Sequence, residues 1–308
     1  MIECIPIKKR YVTCNMCGCE KYTILFKDEL KDTAPKLDYN FTEDTSKTYQ
    51  IVRCDSCNLI YTNPMPHISS MYEDIVDKVY LESKEQRKRT AEKCIQEIRR
   101  FKQHGNLLDI GCSVGIFLDI AVKYFNVEGI EMSEWAYREA MKRHKIHNMP
   151  LSELCLHKKY DVVTLFGVIE HFEDPKREMS LIYNILKPGG LVVIYTGDVD
   201  AWLPRLLGKK WWWFQGMHIF YFSRKTCRLL LEKCGFDIVM VKTHTAFFQL
   251  FSLAIAFQRY KFGKITQPIL NLPFVRKWMV PLKLSGEMLL FALKKTPSKD
   301  RFNYECGD

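Results

Sequence analysis

The stretch Leu107-Leu108-Asp109-Ile110-Gly111-Cys112-Ser113-Val114-Gly115 ends an apolar run in an acid, then turns through two glycines into the apolar-periodic segment Ile116 to Tyr124. Glycines there let backbone approach a ligand without a Cβ in the way, as at the first turn of a nucleotide-binding α/β fold. A second acid, Glu131, closes the next short strand and lies 22 positions after Asp109. That spacing suits hydrogen bonding to ribose hydroxyls. A dinucleotide fingerprint would need glycine at 113 and 116, but Ser113 and Ile116 stand there, so no pyrophosphate cradle is expected. Glu170-His171 follows a further apolar run, Tyr160 to Phe166. An imidazole with an ordinary pKa of about 6.5 can take a proton from a hydroxyl near neutral pH. The plainer alternative is that this pair only caps the next helix and packs against a cofactor.

Two C-x-x-C pairs, Cys14/Cys17 and Cys54/Cys57, offer a second chemistry. Each spacing lets two thiolates reach one ion from a single turn, and two pairs give the tetrahedral sulfur coordination preferred by structural Zn2+. Four sulfur ligands leave no position for water, so such a zinc would be structural. The intervening 36 residues contain a polar excursion, Lys31 to Lys47, and Cys19 is a spare thiol that could replace Cys17. Reduced cysteines without metal, or a redox pair, are the alternatives.

These groups need elements to hold them. Tyr160 to Phe166 reads as a buried parallel strand, Leu186-Lys187-Pro188-Gly189-Gly190 as a helix breaker, and Leu191 to Tyr195 as the next strand. A helix from Arg224 ends at Gly235, a strand runs from Phe236 to Val241, and Met288 to Leu293 is expected as the last strand. Glu85 to Phe101 is expected as a helix ahead of the sheet, with Tyr72 and Tyr80 near enough to enter the site or simply pack.

From Gly105 to Lys242, the order and spacing of these pieces resemble the class I S-adenosylmethionine-dependent methyltransferases. The resemblance implies an α/β, Rossmann-like seven-stranded, mostly parallel sheet, preceded by a small N-terminal zinc-binding subdomain. It also implies that S-adenosyl-L-methionine is held by Asp109, Gly111, Cys112, Gly115, Glu131, Met132 and Phe166, with Asp109 on the ammonium or a water and Glu131 on the ribose diol. Ser113 stands where the family usually has glycine. The stretch Ile51 to Pro64 looks like the zinc-binding head of bacterial surface-glycan and deoxysugar methyltransferases. In glycan-type relatives a histidine followed by aromatics and serine precedes a helix, which makes His218 a second base candidate beside His171 and Glu170. Deoxysugar C-methyltransferases carry an aromatic hydroxyl two residues before the glutamate. Val168 stands there instead, which favours O-methylation. Trp211, Trp212 and Trp213 beside Lys209 and Lys210 suit stacking on a sugar ring or a bilayer interface, or else form a lid.

The chain has 308 residues, 47% hydrophobic, enough for a folded core. The expected division is a zinc head over 1–67, a helical linker over 68–104, the Rossmann-like domain over 105–295 and a tail over 296–308. Net charge is +10, and residues 243–308 hold ten basic against four acidic side chains. Within 243–286, the apolar run Ala246 to Phe257 is too short to cross a bilayer and is expected as an amphipathic helix lying in a membrane surface, or covering the cleft. Met1 to Pro6 has no apolar signal core, so a cytoplasmic protein, acting at the membrane face, is expected. The partner implied is a glycan or glycolipid acceptor. Nucleic acid is disfavoured by the near balance of charge over residues 1–242, and oligomeric state is left open. An RNA methyltransferase, a sugar C-methyltransferase and a non-catalytic zinc adaptor are the competing readings.

Overall fold

The computed structural model describes residues 7–35, 46–67, 69–73, 75–77, 80–81, 83–154, 159–249 and 278–295. Near the N-terminus, β1 (Tyr22–Phe26), β2 (Ile51–Cys54) and β3 (Ile60–Thr62) form an antiparallel sheet. α1 (Lys84–Ile98) buries Ala91, Cys94, Ile95 and Ile98, the three- and four-residue spacing of one helical face. The chain then alternates: β4 (Asn106–Ile110), α2 (Ile116–Ala121), β5 (Asn126–Ile130), α3 (Glu134–Ala140), β6 (Lys145–His147) and β7 (Tyr160–Phe166). α4 (Pro175–Ile185) starts with Pro175 and an Asp174 cap that accepts from the Arg177 N–H. β8 (Leu186–Gly197), α5 (Trp202–Leu207), β9 (Phe220–Tyr221), α6 (Arg224–Lys233) and β10 (Phe236–Thr243) follow. The last strands are β11 (Ala246–Gln249), β12 (Met279–Leu282) and β13 (Glu287–Lys294).

Seven strands form one sheet in the order β10-β13-β8-β7-β4-β5-β6, with β13 antiparallel to both neighbours and the other pairings parallel. This is the Rossmann-like sheet expected. Both of its faces are buried, so successive strand residues enter different cores. Val163, Val192, Ile194 and Leu290 join the core with α4 and α6, while Val162, Val193, Leu289 and Phe291 join that with α1 and α2. Strand order reverses between β4 and β7, and a crevice opens beyond their carboxyl ends.

Two expectations are corrected. The helix expected over Ala246 to Phe257 is absent over its first four residues, which form β11 antiparallel to β12. β11 is held there because Phe247 N–H donates to Thr90 Oγ1 and Gln249 N–H to Gln86 Oε1, so α1 side chains satisfy backbone groups that a helix would have satisfied internally. The rest of that segment, 250–277, lies outside the described residues. The head, moreover, does not end at 67: β9 pairs antiparallel with β3 and completes its sheet from the far side of the sequence. Among the described residues no helix is long and apolar enough to cross a membrane.

Candidate active site and metal centre

In the head, Cys14, Cys17, Cys54 and Cys57 bring their sulfurs within 4.8 Å of one another. The Cys14–Cys57 and Cys17–Cys54 sulfurs are each 3.5 Å apart. A tetrahedron with Zn–S bonds of about 2.3 Å has sulfurs roughly 3.8 Å apart, so the four thiols fit a zinc ion closely. Matching turns build the two halves: Gly18 N–H donates to the Cys14 carbonyl and Asn58 N–H to the Cys54 carbonyl, with Gly18 and Asn58 in the left-handed region at φ 74° and 61°. Cys19 stands apart, its sulfur on the Lys21 carbonyl, so it does not replace Cys17.

The crevice is a cavity of about 1920 Å³. A single small-molecule pocket is roughly 300–1,000 Å³, so this one has room for two ligands side by side. At one end, Gly111 has φ 70°, and a Cβ there would lie 2.6 Å from Val168 Cγ2. Only glycine lets the β4 loop pass under the β7 loop. The Gly111 and Cys112 N–H groups donate to the Ile130 carbonyl, which folds the loop back onto β5. Glu131 lies at the hinge, its Oε2 accepting from Ser113 N–H at 2.7 Å and its Oε1 from Ser133 N–H at 2.8 Å. Burial pushes its pKa up, and these backbone donors pull it down. Gly111, Glu131, Met132 and Phe166 line the cavity, the last held edge-on by Phe117 at 4.7 Å.

Asp109, Cys112 and Gly115 do not line it. Asp109 is 2% exposed, accepts from Thr164 Oγ1 at 2.6 Å, and has its pKa pushed up to about 7 by burial. It supports the loop from behind, with its carboxylate turned to Thr164. Cys112 is buried against Gly129, and Gly115 caps α2.

Next to this end, the ligand atoms of Glu170, His171 and His218 converge to within 4.8 Å. Glu170 is 1% exposed, its Oε2 accepts from Thr196 Oγ1 at 2.9 Å, and burial raises its pKa to about 7. His171 Nδ1 lies 2.7 Å from the Tyr72 hydroxyl and 3.0 Å from the Met217 carbonyl. Burial holds its pKa down to about 4, opposed by hydrogen bonds to the Met217 and Gly167 carbonyls. His218 Nδ1 lies 2.7 Å from the Trp213 carbonyl. A carbonyl can only accept, so the proton sits on Nδ1 and the lone pair on Nε2. Burial, then the neighbouring His171, keep this ring neutral. Glu170, His171 and His218 thus meet although 48 positions separate the first and last.

Of the three tryptophans, Trp211 departs from the stacking expectation. Trp211 is fully buried and stacks on Trp213 at 6.1 Å, so it is core rather than a sugar platform. Gly197 makes the room, since a Cβ there would lie 2.9 Å from Trp211 Cη2. Trp212 and Trp213 do reach the cavity, where Tyr195, His244 and Glu287 join them. Sequence reading did not single out these last three, which come from three different strand ends and share no motif.

A family model described as a methyltransferase domain matches residues 83–241, just over half of the chain. The ubiquinone biosynthesis O-methyltransferase of Bordetella avium (strain 197N) is 29% identical over 116 residues, which cover 33% of this chain and 46% of that protein. That of Acinetobacter baumannii (strain AYE) is 32% identical over 101 residues, covering 29% and 43%. The chain therefore spans less than half the length of these curated relatives. A solved S-adenosylmethionine-dependent methyltransferase from Clostridium acetobutylicum ATCC 824 superposes with a TM-score of 0.48 at 12% identity, over 70% of this chain and 97% of that one. With its own sheet order, its glycine turn and a family match from α1 into β10, the chain belongs to the class I S-adenosylmethionine-dependent methyltransferases.

Proposed function

We propose that this enzyme methylates a sugar hydroxyl oxygen of a nucleotide-linked, lipid-linked or polymeric glycan, with the donor at the Gly111–Glu131 end of the cavity and the acceptor against the histidines. The observation that carries the reading is the His218 ring, whose Nδ1 proton is pinned on a carbonyl, which leaves Nε2 as its acceptor, and which meets Glu170 and His171. As the oxygen attacks the methyl carbon, the S–CH3 bond breaks, the O–CH3 bond forms, and the hydroxyl proton passes to His218 Nε2. Ionised Glu170 stabilises the resulting imidazolium. His171, already committed to Tyr72, Met217 and Gly167, positions the neighbouring ring rather than leading as base. Because the sulfonium already activates the methyl group, alignment supplies much of the rate. The oxygen acceptors in the names of the curated relatives support O-methylation.

The zinc held by the four cysteines is proposed as structural. Contact with a membrane surface is proposed through the exposed side chains of Trp202 (66%) and Leu206 (74%) on α5 and of Trp278 (59%) before β12. A second reading, C-methylation of a keto sugar, is favoured by Tyr72, whose hydroxyl at His171 offers the phenol missing at Val168.

Labelled S-adenosylmethionine, incubated with the enzyme and a cell extract, tests the reading. Label is expected in the lipid, polymer or small-molecule sugar pools, as alkali-stable O-methyl sugar. Label confined to RNA overturns it.

A further inference from the structure

The end of the cavity away from Glu131 contains polar atoms that neither methyl transfer nor the fold uses. His244, between β10 and β11, is 5% exposed, and its Nδ1 has no partner. Its ring lies 4.4 Å from that of Tyr195, and its backbone N–H donates to the Glu287 carbonyl, which fixes both at one strand end. Glu287 is likewise 5% exposed; its Oε1 accepts from Trp212 Nε1 at 3.1 Å, and Tyr195 is its other side-chain partner. Trp213 stands edge-on to Tyr195 at 5.7 Å, and its Nε1 is also unpartnered. All five residues line the cavity.

A buried nitrogen without a partner is costly, and Glu287 has no ion-pair partner among the described residues. Glu287 and the Tyr195 ring therefore stand between indole faces at this wall, backed by two nitrogens, His244 Nδ1 and Trp213 Nε1, that lie just beneath its surface. A ring bearing several neutral hydroxyls suits such a wall, since its hydroxyls can donate to the Glu287 carboxylate and its C–H faces cover aromatic rings. We propose that Tyr195, Trp212, Trp213, His244 and Glu287 form the subsite that recognises the sugar-type ring of the acceptor. It rests on the proposed methyl transfer to a glycan and adds which residues select it. The competing occupant, an organic cation caged by aromatics and acid, is separable by experiment.

The enzyme saturated with S-adenosylhomocysteine is titrated with the methyl glycosides of glucose, galactose and mannose, and separately with tetramethylammonium. Binding is followed by saturation-transfer NMR and tryptophan fluorescence. At least one glycoside is expected to bind saturably, about tenfold or more weakly in His244→Ala and Glu287→Ala, and within about threefold in Glu287→Gln, which keeps the hydrogen bonds but not the charge. S-adenosylhomocysteine affinity should stay unchanged in all three variants, which shows that they are folded. Binding of tetramethylammonium alone, binding of no glycoside, or glycoside binding indifferent to both alanine variants overturns the proposal. Failure to bind S-adenosylhomocysteine would instead strike the methyl-transfer reading beneath it.

Discussion

The two ends of the cavity are built in opposite ways. The cofactor end comes mostly from one unbroken stretch, Gly111 to Ser133, joined by Phe166 of β7, and in that stretch a glycine turn and the strands on either side determine each other through local backbone hydrogen bonds. The acceptor end is assembled from Tyr72, Glu170-His171, Tyr195, the Trp212 to His218 loop, His244 and Glu287, which adjoin only when the sheet has formed. A locally determined site tolerates changes elsewhere in the chain. One gathered from remote segments depends on whatever holds those segments, here β9 on the four-cysteine head and β11 on α1.

Loss of the metal should separate the two ends most sharply. Cys54→Ser should reduce zinc content and lower the melting temperature by about 10 °C or more. It should also cut turnover about 100-fold or more by releasing β9 and the loop carrying His218, while S-adenosylhomocysteine affinity in calorimetry moves by less than about threefold. Equal losses at both ends would dissolve the contrast.

Within the cofactor end, Glu131→Ala should weaken S-adenosylmethionine binding about 10- to 100-fold by removing charge-assisted hydrogen bonds. Asp109→Asn, behind the loop, should change it by less than about threefold, because its partner Thr164 remains. Calorimetry that reverses this order would return Asp109 to the cavity.

Glu170 supplies a pH test of the acceptor end. With its pKa raised to about 7 it is largely protonated at pH 6 and ionised at pH 8. If the carboxylate stabilises the imidazolium, kcat/KM rises with pH through about 7. Glu170→Gln should flatten that limb, whereas donor affinity should keep its pH dependence. A limb that persists in the variant would assign it to another group.

The smallest effect is expected at Ser113, which holds φ 48° where glycine is usual. Ser113→Gly relieves a left-handed strain of about 1–2 kcal/mol, offset by greater unfolded-chain entropy, for a net gain of about 1 kcal/mol or less in denaturant unfolding.

What could be read from the sequence follows the same division. The glycine turn, Glu131, Glu170-His171 and the cysteine pairs are short-range patterns whose spacing encodes their geometry. The seven-stranded sheet was legible for a related reason, because strands buried on both faces read as continuous apolar runs such as Tyr160 to Phe166. Tyr195, His244 and Glu287 were not legible, since each is an isolated polar residue at a strand end. Trp211 misled because exposure cannot be read from residue type: an indole run fits a stacking platform as well as a core, and only the space at Gly197 decides. The apolar run from Ala246 misled because short apolar stretches suit helix or strand alike until a partner such as β12 is known.

The two residues Phe220 and Tyr221 have a consequence for dissection of the gene. By lending its β9 edge to the N-terminal sheet, the transferase body stitches the polypeptide shut across some 160 intervening positions, Tyr61 against Phe220. A fragment cut at the borders of the family match would expose an unzipped ribbon and a cluster of indoles. Grafting a different head onto this body would succeed only if the donor brought a strand of matching register.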